Sequence, residues 1–329
     1  MDFALKLLRH GENLAGIRDR SASLPAPVMT DIDPVIGACN LDCAWCCQAA
    51  SRSSHEATFM PVDTMLGLAR LSAEWGIRAW RIASDSESLL HPNLSSLIDA
   101  GHAAGVRMGL ITNGVLLDRL PAESLSKLTY LGVSLDATDR QRWADLKRSQ
   151  PQNYDRALAN VAAARKAAPD LDISLKLVRW SADSSATKAD FGPLVQLKLA
   201  GETRNNFLDA EELPSLASKL GVRAIVREAY PKNMAATYDF EKCYATPLGG
   251  VFDAAHRFHL CCDARQRYIL THDYRDMNWR VLPRLWGSER HWQLIDSIDP
   301  RSCAGCAKQR INEVLEQYVI SEDPQADFI

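Results

Sequence analysis

The sequence predicts an α/β fold. It reads as a partial (β/α)6 barrel of parallel strands over residues 31–230, followed by a small cysteine-rich α+β module over 231–329, with a helical extension over 1–30. Three observations lead there. From residue 31 to about 230, short apolar runs alternate with stretches of helical spacing, the pattern of parallel strands joined by crossover helices. After about residue 231 that alternation stops. The nine cysteines fall into two groups, four within residues 39–47 and five beyond residue 240.

The first expected strand is DPVIGA, Asp33 to Ala38, which runs into the cysteine-rich stretch CNLDCAWCC. Pro61 to Trp75 has helical spacing, with Pro at its start and Gly76 as a stop. IRAWRIAS is the next strand, and HPNLSSLIDAGHAAG the next helix, with Leu94, Leu97 and Ile98 on one face. VRMGLITNG and YLGVSLDA are strands, and a helix over Tyr154 to Lys166 precedes the strand DISLKLV. In that strand Ile173, Leu175 and Leu177 share the face that meets the helices, which points Ser174 and Lys176 into the barrel. LDAEELPSLASKLG carries a capping box, Asp209 with Glu212, and ends at Gly221. VRAIVREAY closes the series, with Arg227 and Glu228 facing opposite ways near its end. Residues 181–206 interrupt the alternation and read as an insertion over the barrel mouth.

Composition narrows the function. With 47% hydrophobic and 24% charged residues and a net charge of −3, the chain reads as an ordinary soluble protein, with no bias toward nucleic acid or an anionic membrane. No apolar run approaches the roughly 20 residues of a membrane span. The first residues, MDFALKLLRHGENLAGIRDR, spread charge through their apolar positions, unlike a signal peptide, so a cytoplasmic location is expected. An odd number of cysteines in a reducing compartment argues for metal ligation over disulfides.

Cys39, Cys43 and Cys46 form C-x3-C-x2-C directly after the first strand, and chemistry in such sheets sits at the C-terminal strand ends. Three thiolates can hold three irons of a [4Fe–4S] cluster and leave the fourth open. Zinc favours paired C-x2-C hooks and fits this spacing poorly. The stretch, including Trp45 before the third cysteine, resembles the signature of the radical SAM superfamily. That resemblance covers roughly residues 31–230. It implies that the open iron is chelated by S-adenosylmethionine (SAM), which the reduced cluster cleaves to a 5′-deoxyadenosyl radical, with an external electron donor such as flavodoxin or ferredoxin. SDSESLLHP stands where the family usually carries a glycine-rich segment ending in Glu-Pro. Glu87 falls at the glutamate, while Ser86 and Ser88 replace the glycine and proline. TNG at 112–114 and SLDA at 134–137 also resemble family segments. Ser134 is thereby expected at the SAM ribose or carboxylate, and Lys176 is a candidate partner of that carboxylate.

In the C-terminal module Cys243, Cys261, Cys303 and Cys306 supply four thiolates, enough for a second, complete [4Fe–4S] cluster, though a zinc ribbon would use the same four. PLGGVFDAAHRFHLCCD reads as a hairpin delivering a cysteine, and RLWGSERHWQLIDSIDPRSCAGC as a helix followed by a cysteine hook. Both resemble the twitch domain, a shortened relative of the SPASM domain attached to many radical SAM enzymes. Cys261 is taken as the ligand, although sequence does not separate it from its neighbour. Cys262 is then a candidate hydrogen-atom donor, and Cys47 is left spare.

The expected reaction is abstraction of a hydrogen atom from a small polar metabolite of sugar, aminocyclitol or nucleoside type, in natural-product biosynthesis. Transfer of an electron to the auxiliary cluster gives oxidation; return of a hydrogen atom from Cys262 gives epimerisation. Arg227 is the candidate to bind or deprotonate a substrate alcohol. A small substrate is expected because about thirty residues precede the barrel, too few for a peptide-recognition domain. The alternatives are modification of a peptide brought by a separate recognition partner, and a non-catalytic iron–sulfur or zinc protein.

Overall fold

The computed structural model describes residues 4–44, 46, 56–83, 86–179, 206–228, 238, 240–303 and 306–321. Its strands are β1 (Met29–Asp33), β2 (Val35–Ile36), β3 (Thr58–Phe59), β4 (Ala79–Ile82), β5 (Arg107–Thr112), β6 (Tyr130–Ser134), β7 (Asp172–Arg179), β8 (Arg223–Glu228), β9 (Gly249–Asp253), β10 (Phe258–His259) and β11 (Ile269–Thr271). α1 (Gly11–Arg18) lies in the N-terminal extension, and the barrel helices are α2 (Val62–Trp75), α3 (Leu94–Ala103), α4 (Ala122–Leu125), α5 (Arg140–Lys147), α6 (Gln152–Ala167) and α7 (Phe207–Lys219). Four more elements follow: α8 (Asp276–Trp279), a single turn with left-handed backbone at Met277, Asn278 and Trp279, then α9 (Val281–Leu285), α10 (Glu289–Asp296) and α11 (Gln309–Leu315).

β1, β4, β5, β6, β7 and β8 pair side by side, all parallel, which is the expected six-unit βα array. The outer face carries the core: Ile173, Leu175 and Leu177 are buried, as are Leu94, Leu97 and Ile98 on α3. Both sets occupy the faces that their spacing assigns. α2 follows Pro61 and stops at Gly76, also as expected.

Two expectations need correction. The first strand of the main sheet is Met29–Asp33, while Val35–Ile36 pairs with Thr58–Phe59 in a separate two-stranded ladder. Asp31 and Asp33 disguise this strand in the sequence, because charge there argues against a buried strand. Both are buried with an arginine apiece: Arg81 reaches Asp31 at 2.7 and 2.5 Å, and Arg265 reaches Asp33 at 2.7 and 3.1 Å. The Asp209–Glu212 capping box also fails. α7 begins at Phe207, so Asp209 lies inside it and is used elsewhere. Its carboxylate accepts from Thr138 N–H at 2.6 Å, Thr138 Oγ1 at 2.9 Å and Arg142 Nη2 at 2.9 Å, which ties α7 to the start of α5. The expected insertion over residues 181–206 lies outside the described residues except for Asn206.

The cysteine-rich module is built onto the same sheet. β9 pairs parallel with the free edge of β1, from Met29↔Gly249 to Asp33↔Asp253, and β10 and β11 continue antiparallel. β9 and β10 form the expected hairpin. His259 is buried inside it, with Nε2 2.7 Å from Asp253 Oδ2, so it braces the hairpin. α10, a short 3-10 turn at Pro300–Ser302 and Cys303 follow as the expected helix and hook.

Candidate active site

Cys39, Cys43 and Cys46 lie on the loop after β2, beyond the C-terminal end of β1, each half-buried. Trp45 and Cys47 lie outside the described residues. The loop is pinned from three neighbours. From the β4 side, Ala38 N–H donates to Ser86 Oγ at 3.0 Å, and Glu87 N–H donates to the Ala38 carbonyl at 3.1 Å. From the β5 side, Asn113 Nδ2 donates to Asn40 Oδ1 at 2.8 Å. From α5, the Leu146 carbonyl accepts the Ala44 N–H at 2.7 Å.

Glu87 joins two of these loops. Its buried carboxylate accepts from Thr112 Oγ1 at 2.8 Å, Asn113 N–H at 3.0 Å and Leu89 N–H at 3.1 Å. Burial pushes its pKa up against the downward pull of these donors and of the Lys147 charge. The serines at 86 and 88 therefore do not loosen the segment: Ser86 becomes a hydrogen-bond partner of the cysteine loop, and Ser88 begins a short 3-10 turn.

Lys147 was not foreseen, because α5 was not. The helix is capped by Asp139, whose carboxylate accepts from Gln141 N–H at 3.0 Å and Arg142 N–H at 2.8 Å. Its last residue, Lys147, is buried and donates to Asp136 Oδ2 at 2.5 Å. Burial alone lowers its pKa, but Asp136 and the Cys43 and Cys46 thiols outweigh that and raise it. A fixed cation thus stands beside two thiols of the first group. Half-buried sulfurs on a braced loop, with a buried counter-charge, fit an anionic iron–sulfur cluster there.

Ser134 ends β6 and pairs in register with Lys176. Lys176 faces the barrel interior as expected, but its side chain leans back along β6. Its ammonium lies 5.4 Å from the centre of the Tyr130 ring, and it passes Gly132, where an added Cβ would come within 2.5 Å of Nζ. It therefore turns away from the loop end at which SAM is expected. Burial, reinforced by Arg227 and Arg81, lowers its pKa to about 8. Arg227 lies near the end of β8, exposed and opposite Val178, on the interior-facing side.

Cys243, Cys261, Cys303 and Cys306 line one cavity of about 170 Å3. Burial pushes the thiol pKa of Cys243 and Cys303 up and that of Cys306 to about 12. Among the described residues, no three Cys, His, Asp or Glu side chains form a cage for a single metal ion. The four thiols share this cavity, and four thiolates are a complete ligand set for a [4Fe–4S] cluster, as they are for zinc. Cys262 turns the other way, into a cavity of about 240 Å3 that Asp31 and Arg81 also line. A hydrogen bond with the Cys261 thiol and burial push the Cys262 pKa well up. Arg265, bound to Asp33, donates to the Cys262 carbonyl at 2.6 Å and holds this pair of cysteines against β1.

Comparison with known proteins agrees with this geometry. Residues 34–175 match the model of the radical SAM superfamily. A GTP 3′,8-cyclase of Stenotrophomonas maltophilia (strain R551-3) is 32% identical over 108 residues, 32% of this chain and 33% of that protein. An AdoMet-dependent heme synthase of Methanosarcina barkeri (strain Fusaro / DSM 804) is 33% identical over 131 residues, 39% of this chain and 37% of that protein. The chain thus spans about a third of the length of the curated relatives it matches. In fold it is similar to the crystal structure of Streptococcus suis SuiB, with a TM-score of 0.54 at 14% identity over 92% of this chain and 78% of that one. Residues 34–175 thus form a radical SAM domain.

Proposed function

We propose that the chain abstracts a hydrogen atom from a small polar metabolite, of sugar, aminocyclitol or nucleoside type, and oxidises it. It would use SAM, an auxiliary [4Fe–4S] cluster and an external one-electron donor such as flavodoxin or ferredoxin. When bound, the SAM-loaded cluster on Cys39, Cys43 and Cys46 supplies the 5′-deoxyadenosyl radical. The protein's part is to hold that group and the substrate in place. Glu87, Asn113 and the Leu146 carbonyl fix the cysteine loop, Lys147 sets a buried cation near its thiols, and Ser134 is at hand for SAM at the end of β6. Lys176, Arg81 and Asp31 make the inner face polar, which suits a hydroxylated substrate better than an apolar one. Arg227 is the candidate to orient or deprotonate a substrate hydroxyl.

The observation that carries oxidation is the single cavity shared by Cys243, Cys261, Cys303 and Cys306, which supports a second cluster as electron acceptor. A second reading, epimerisation, has its own support: Cys262 lines a cavity together with Asp31 and Arg81, and its hydrogen bond with Cys261 and its burial raise its pKa. The test is metal analysis after anaerobic reconstitution, followed by turnover in deuterated water. About eight irons per chain, four for each cluster, are expected. SAM cleavage should be lost in Cys43→Ala while about four irons remain. An oxidised product without solvent label supports the first reading. A deuterated product whose formation needs Cys262 supports the second. About four irons with one zinc would remove the electron acceptor.

A further inference from the structure

Asn312 lies on α11, fully buried, in the wall of the cavity lined by the four C-terminal cysteines. One end of its side chain is fixed by the backbone: Oδ1 accepts the Ala245 N–H at 2.8 Å. An amide held that way turns its Nδ2 in the opposite direction. Here that direction leads to two sulfurs, Cys306 Sγ at 3.8 Å and Cys243 Sγ at 4.0 Å. The flipped amide would set its NH2 against the Ala245 N–H, donor against donor, and its oxygen against the sulfurs, so the assignment rests on chemistry and not on atom labels. Neutral thiols accept hydrogen bonds weakly, whereas metal-bound thiolates carry the negative charge that makes such a contact strong.

We infer that Asn312 is a hydrogen-bond donor to an auxiliary iron–sulfur cluster, through the thiolates of Cys243 and Cys306, and that it raises the cluster's reduction potential. The inference rests on reading the four-cysteine cavity as a [4Fe–4S] site. Its physical basis is differential. The reduced cluster carries one more negative charge, shared by its sulfurs, so an N–H donor stabilises it more than the oxidised form. Asn312 would thereby favour acceptance of an electron at this site.

The test is a redox titration of the reconstituted full chain, monitored by electron paramagnetic resonance, in wild type, Asn312→Asp and Asn312→Leu. Asp keeps an acceptor for the Ala245 N–H but loses the donor toward sulfur; Leu loses both. The auxiliary midpoint should move to more negative potential in both variants, while the SAM-binding cluster keeps its own. An unmoved auxiliary midpoint in cluster-loaded variants would overturn the proposal. A second measurement needs no change at Asn312. In a Cys39→Ala, Cys43→Ala, Cys46→Ala chain with 15N only in asparagine side-chain amides, the reduced auxiliary cluster should show a 15N hyperfine coupling. Absence of that coupling would also sink the idea. Zinc in place of the second set of irons would instead refute the auxiliary-cluster reading itself, and metal analysis detects this before any titration.

Discussion

Lys176 is a cation held over an aromatic ring with other cations nearby, and the physics of that position is measurable. Burial and the charges of Arg227 and Arg81 hold its pKa at about 8 in the native protein, against an ordinary 10.5. Between these values the unfolded chain binds a proton that the native protein has released, so this residue makes stability rise with pH across that window. Replacing it with Met removes the effect. The unfolding free energy of Lys176→Met relative to wild type should therefore fall as pH goes from about 7 to about 10. Urea unfolding at the two pH values checks this, and a pH-independent difference would show that Lys176 titrates normally. Asp209 teaches a related lesson at this scale. Its spacing to Glu212 suits a helix cap, yet the stronger demand comes from Arg142 and the Thr138 N–H of another element, and these claim the carboxylate.

Between elements, the contact of α2 with α8 depends on one missing side chain. Gly67 on α2 faces the Trp279 indole, and an added Cβ would come within 2.0 Å of it. The half-buried indole has to shift to make room, and its packing on α2 is disturbed. Gly67→Ala should thus cost about 1–3 kcal/mol through overpacking. The same change in a Trp279→Ala background should cost much less, because the clash has gone. Equal losses in both backgrounds, read from urea midpoints, would locate the effect in helix propensity or elsewhere. α5 matters at this scale too, since it carries Lys147 to the cysteine loop and supplies the Leu146 carbonyl that holds Ala44.

At the scale of the molecule, barrel and cysteine-rich module form one sheet, and the seam between them lies at β1. β9 hydrogen-bonds along its free edge, and Arg265 crosses to the fully buried Asp33. Removing Arg265 takes a guanidinium away from a fully buried carboxylate, and breaking a buried ion pair by deleting one partner costs about 3–5 kcal/mol. Arg265→Met should lower the stability of the whole chain by that order, with barrel and module probes shifting together in one cooperative transition. A variant in which only the C-terminal module melts early would show that the shared sheet does not couple the two. Among the described residues, no helix is long and apolar enough to cross a membrane.

The sequence by itself determined the parallel βα order, the helix-facing and barrel-facing sides of β7, and the two cysteine groups. All of these are local: period-2 and period-3.6 patterns and close spacing survive in one dimension. Its reading of residues 33–38 as the first strand failed because partners fifty and more than two hundred residues away make Asp31 and Asp33 tolerable in a buried strand. Adjacent cysteines are equivalent in sequence; only the path of the chain after β10 sends Cys261 toward Cys243, Cys303 and Cys306 and Cys262 toward Asp31 and Arg81. Lys147 beside the first thiols, Asn113 on the cysteine loop and Asn312 on the second sulfurs were likewise decided by tertiary structure. A buried polar group acquires its role from what the fold sets opposite it, and that partner is not written in its neighbours along the chain.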